Sequence, residues 1–180
     1  MAIRKGVTFT LTGLIVLILV VPSAALAAES LFLRLDGILG ESLDSTHRGE
    51  INLLSYSQSF TNTGGQAVPN CGAITVTKLI DRSSPALIGA VLRGNVIPTG
   101  VITFRNEGAQ PLEYYKVTLT EVLITAISQT DASPTDPTTI LEQISMKATT
   151  FSFQYTPQSP AGGLRAPVRF GWNCATNTAQ

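Results

Sequence analysis

The sequence predicts a mainly β fold, a barrel or a strongly curled sandwich, with one short α-helix. Three observations predict it. Seven segments, residues 31–36, 51–60, 73–80, 100–106, 112–127, 144–156 and 166–173, are rich in Val, Ile, Thr, Phe and Tyr. Several of them alternate apolar and polar residues with period two and then lose phase, as long, bent strands do. A single stretch between them has helical spacing with its own start and stop signals.

The first residues belong to none of these elements. Arg4 and Lys5 are followed by eight consecutive apolar residues, Leu14 to Val21, then by Pro22 and by the small-residue site Ala25-Leu26-Ala27. This is the build of a secretory signal peptide covering residues 1–27, removed to leave one domain over residues 28–180. An uncleaved anchor over residues 6–28 is the alternative, and it would be the chain's only membrane contact. A misassigned start is another. Cleavage removes two cations and no acids, so the exported domain is mildly acidic.

Phase slips mark where the strands bend. Ile51 and Leu53 lie on one parity and Leu54, Tyr56 and Phe60 on the other. The same happens between Tyr115, Val117, Leu119 and Val122, Ile124, Ala126. It happens again between Ile144, Met146, Ala148 and Phe151, Phe153, Tyr155, which calls for a bulge or sharp bend near Thr149-Thr150. The helix has Ser84 as N-cap, Pro85 at its first position, Leu87, Ile88, Val91 and Leu92 on one face, and Gly94 as its stop. With one apolar face it belongs against a barrel wall or over an open barrel end. Residues 37–49, 57–72, 129–139 and 157–164 have the composition of loops.

Composition excludes several functions. The chain of 180 residues carries 12 Lys+Arg and 12 Asp+Glu, and no window is strongly basic, so nucleic acid is not an expected partner. There is no phosphate-binding glycine loop. Asp44-Ser45-Thr46-His47 brings a carboxylate, a hydroxyl and the sole imidazole into four positions. Groups crowded into one loop read as turn chemistry, with Asp and Ser side chains bonding nearby amides, rather than as a catalytic triad. No catalytic residue, cofactor site or metal site is assigned. Cys71 and Cys174 have no metal-ligand spacing; as a pair in an exported chain they favour a structural disulfide over two buried, inert thiols.

Taken in order, Phe32-Leu-Arg-Leu-Asp-Gly-Ile-Leu-Gly-Glu-Ser, Glu50-Ile-Asn-Leu-Leu-Ser-Tyr-Ser and Lys78-Leu-Ile-Asp-Arg-Ser-Ser-Pro-Ala-Leu resemble the Hcp family. These are tube proteins of type VI secretion. The resemblance continues through Gly94-Asn-Val-Ile-Pro, Glu113-Tyr-Tyr-Lys-Val-Thr-Leu, Glu142-Gln-Ile-Ser, Tyr155-Thr-Pro-Gln and Phe170-Gly-Trp-Asn, and spans residues 31–177. It implies a β-barrel of two curled antiparallel sheets with one short α-helix at its side. It also implies a homo-hexameric ring that stacks into a hollow tube whose lumen carries small effector proteins. By the same similarity the segment around Ser57, Ser59, Thr61, Asn62, Thr63, Gly64, Gly65, Gln66 and Asn70 matches the extended loop that contacts a neighbouring ring.

The leader departs from the family, whose members enter the tube from the cytoplasm. Two readings follow. One is a secreted, Hcp-like structural subunit of a ring or tube, located in the periplasm or outside the cell. The other is a monomeric secreted binding module or effector on the same barrel, using its long polar loops.

Overall fold

The computed structural model describes residues 28–65, 69–108, 110–131, 139–159 and 163–180. The expected leader therefore lies outside the described residues. The strands are β1 (Glu29–Leu35), β2 (Ile51–Leu53), β3 (Ser55–Thr61), β4 (Asn70–Leu79), β5 (Val96–Asn106), β6 (Leu112–Asp131), β7 (Ile140–Lys147), β8 (Thr150–Tyr155), β9 (Val168–Asn173) and β10 (Thr178–Ala179). Among the described residues the single α-helix, α1, covers Ser84–Arg93.

All pairings are antiparallel, and the 20-residue β6 organises them. One of its edges carries β5, which pairs with β1, and β1 pairs with β2. The other edge carries two strands in succession: β8 along Tyr115–Thr120 and β7 along Leu123–Asp131. β4 lies on β7 and β3 on β4. Because β2 runs into β3 after Leu54 alone, the path β1, β5, β6, β7, β4, β3 closes on itself as a barrel. A second sheet, β8, β9 and β10, branches from the same β6. The two curled sheets thus share one strand.

Each loss of phase has a structural cause. Between Leu119 and Val122, both fully buried, Glu121 adopts φ 51 with its side chain in solvent. Opposite it β7 ends and β8 begins, with Thr149 N donating to Thr120 O at 3.0 Å. This bend separates Ile144 and Met146 from Phe151 while keeping all three buried. At the first slip Leu54 does not enter the core, as parity suggested. It is 57% exposed, because the chain changes partner there from β1 to β4, and its N–H donates to Thr77 O at 2.7 Å.

The core is Leu, Ile, Val, Met and Phe side chains from inside the barrel, with Leu87 and Ala90 of α1 against its wall. Two expectations for α1 need correction. The N-cap is Ser83, without a side-chain capping bond, so Ser84 is the first helical residue and Pro85 the second, and the Ser84 hydroxyl bonds Lys78 and Glu142 instead of capping. Leu92 points to solvent at 80% exposure, and Ala90 occupies the inner face instead. Gly94 ends the helix as expected, in the left-handed region at φ 63.

Candidate assembly surface

Two buried polar clusters fix the elements that carry the outer surface. In the first, Lys78 and Glu142 are direct cross-strand partners on β4 and β7, both fully buried, with Nζ 2.7 Å from Oε2. The ammonium also donates to Leu79 O at 2.9 Å, Asp81 Oδ1 at 2.7 Å and Ser84 Oγ at 3.0 Å. Glu142 further accepts from Ser84 Oγ at 2.5 Å and Gln129 Nε2 at 2.7 Å. Burial pushes the Glu142 carboxyl up, but the donors Lys78, Ser84 and Gln129 together hold it below the usual range. The network joins β4, β6, β7 and the start of α1. Its signal was in the sequence, since Lys78 shares the inward parity of Ile74 and Val76, and Glu142 that of Ile144 and Met146.

The second cluster lies on the outer face of β1 and β5, under the loop of residues 36–50. The His47 ring stacks on Phe32 at 4.1 Å between centroids, and the Arg105 guanidinium lies 4.9 Å from the Phe32 centroid. Asp44 accepts from Thr46 N at 2.8 Å and His47 N at 3.0 Å, the turn chemistry expected of this loop. Its second oxygen takes Arg105 Nη2 at 2.5 Å, and the Arg105 bond holds the Asp44 carboxyl well below the carboxylate range. The Asp44 carboxylate therefore faces Arg105 and not the imidazole. His47 Nδ1 is 3.0 Å from Glu50 Oε2, and Nε2 is 3.3 Å from Glu113 Oε1. His47 is only 5% exposed, so it is packed structure rather than an incidental loop residue. Gly40 allows the loop to lie this close: a Cβ there would stand 2.3 Å from Glu50 O.

The proposed stacking residues sit on the hairpin of β3 and β4, whose strands run further into the polar segment than its composition suggests. Ser57, Ser59 and Thr61 are exposed on β3; Asn62, Thr63, Gly64 and Gly65 are exposed beyond it; Asn70 opens β4. Gln66 lies outside the described residues. Gly64 and Gly65 turn the chain at φ 90 and 66, with Gly64 N donating to Asn62 Oδ1 at 2.7 Å.

The base of this hairpin is covalently tied. Cys71 of β4 is bonded to Cys174, immediately after β9, with Cα atoms 6.2 Å apart. Beside it Phe60 meets Phe151 and Phe153 edge-on, each at 5.7 Å between centroids. Phe60, Pro69, Cys71, Phe153, Phe170 and Trp172 line an apolar cleft that opens to solvent. Phe60 and Phe170 are about half exposed.

The family model described as type VI secretion system effector, Hcp, matches residues 32–156. The chain belongs to the Hcp family. Protein hcp1 of Pseudomonas aeruginosa is 31% identical over 160 residues, covering 83% of this chain and 98% of the relative. The crystal structure of Hcp1 from Salmonella typhimurium superposes with a TM-score of 0.73 at 27% identity, over 85% of this chain and 99% of that one. A structure described as a type six secretion system protein shares the fold, with a TM-score of 0.79 at 22% identity, over 85% and 100%. Five of the eight segments that carry the resemblance meet in the two buried clusters, with Phe32, Glu50 and Glu113 around His47, and Lys78, Asp81, Ser84 and Glu142 around the helix start. Among the described residues no helix is long and apolar enough to cross a membrane.

Proposed function

We propose that this protein is an exported tube subunit: a ring-forming, homo-hexameric member of the Hcp family whose rings stack and whose lumen carries small effector proteins. The observation that carries this reading is the family match across the barrel, together with a structural likeness extending over nearly the whole length of the relatives. A closed ring needs two different, complementary faces on each subunit, repeated through a rotation that closes. The exposed side of the β3–β4 hairpin, with its polar residues 57–59 and 61–65, suits contact with the next ring.

Export through the leader is part of the proposal. The domain of residues 28–180 would then act in the periplasm or outside the cell, a setting in which the Cys71–Cys174 bond persists. Mass analysis of the exported protein tests this step, with an N-terminus at Ala28 expected and an intact leader contradicting it. Electron micrographs of the same material test assembly. Rings are expected, and shortening residues 57–70 should leave single rings while abolishing longer tubes. Isolated subunits at every concentration would instead identify a monomeric secreted module on the same barrel.

A further inference from the structure

The barrel forks beside β6, and only one end of the fork is sewn together by strand pairing. Along its upper arm β4 pairs with β7 from Leu79 back to Ile74, where Ile74 faces Met146. Beyond that point residues 70–73 of β4 pair with β3 alone. The lower arm, β8 with β9 and β10, leaves the same edge of β6 along Tyr115–Thr120. Among the described residues no strand pairing joins the hairpin tip to this lower arm. What crosses the seam is the Cys71–Cys174 bond and the ring of Phe60 against Phe151 and Phe153.

We propose that the Cys71–Cys174 bond is a redox clasp: it holds the tip of the β3–β4 hairpin down on the second sheet, and its reduction undocks the tip while the barrel stays folded. Three features support it. Phe60 lies just before the tip, beyond a register shift between Gln58 and Phe60, so the outer part of β3 is already offset from the regular ladder. Phe60 meets Phe151, which is buried, and Phe153, which is half-buried, and is itself half exposed, so contact across the seam is thin. Both cysteines are half-buried and Cys71 lines the open cleft, which gives a small thiol a route to the sulfur.

The exchange needs a dithiol as reductant. Its thiolate attacks one cysteine sulfur, forming a mixed disulfide and expelling the other cysteine as thiolate. The reductant's second thiol then displaces the first cysteine, leaving two cysteine thiols and an oxidised, cyclic reductant. A dithiol–disulfide oxidoreductase in its disulfide form runs the same steps backward. The hairpin thus takes its docked position only in an oxidising compartment. This inference stands on the geometry of the fork and does not depend on ring formation.

The test uses the domain of residues 28–180, oxidised and then treated with dithiothreitol, beside Cys71→Ser/Cys174→Ser. Trp172, the chain's single tryptophan, lines the seam and reports on it. On reduction its emission should move to longer wavelength and its acrylamide quenching should rise about twofold. Amide exchange at residues 59–61 and 70–73 should accelerate about tenfold or more, with β1, β5 and the first half of β6 unchanged. Phe60→Ala, with the bond intact, should keep the oxidised hairpin protected. The proposal is overturned by unchanged quenching and exchange on reduction, or by equal acceleration across the whole barrel. Undocking of oxidised Phe60→Ala would overturn it as well.

Discussion

Removing the ammonium of Lys78 leaves the Glu142 carboxylate buried with hydroxyl and amide donors but no counter-charge. Lys78→Met should therefore cost about 3 to 5 kcal/mol in denaturant unfolding, and Lys78→Met with Glu142→Leu should cost less than the single change. Equal losses would mean the pair is not coupled. His47→Ala removes a ring stacked on Phe32 and takes the imidazole from Glu50, while Glu113 keeps Lys116 at 3.0 Å, and the cavity left behind should lower stability by about 2 kcal/mol. Asp44, Glu107 and Glu142 are all held below the ordinary carboxylate range in the folded state, Asp44 chiefly by Arg105, Glu107 by Ser30 and then Arg105. Depressed carboxylates contribute stability above their unfolded pKa and lose it as pH falls toward the folded value. Melting temperature should thus hold from neutral pH to about 5 and decline below about 4. Asp44→Asn should start lower at pH 7 and decline less steeply.

At the scale of elements the bends are the informative features. Glu121 sits in the left-handed region at φ 51, where a side chain is disfavoured and Gly is not. Its side chain is exposed, so Glu121→Gly should relieve strain and raise stability by about 0.5 to 1 kcal/mol after the added chain entropy of Gly. A lower melting temperature would show that the Glu121 side chain holds the bend. The phase slips were legible because apolar parity must follow the core wherever a strand turns. They could not show that residues 144–156 are two strands sharing one edge of β6, since partner choice is not written in parity. For α1 the stop at Gly94 was legible and the cap was not: Ser83 and Ser84 are alike in sequence and both are buried, and only the position of Lys78 and Glu142 decides which hydroxyl bonds that pair. The burial of His47 was hidden for the same reason. It depends on Phe32 and Glu113, which lie on β1 and β6.

For the whole molecule, the disulfide closes a loop with a sequence separation of 103 residues. Chain entropy sets a ceiling of about 4 to 5 kcal/mol on its contribution to global stability. Denaturant unfolding with and without reductant should show a lower midpoint for the reduced barrel, which remains folded in water. A coincident midpoint would mean that the bond contributes nothing to the global transition.

Ring formation by this barrel is tested most directly by the absolute mass of the oxidised domain in solution. Light scattering across a sizing column, on residues 28–180, should give a dominant species of hexamer mass that persists on dilution. A mass equal to one subunit at all concentrations would contradict the ring and favour a barrel that acts alone.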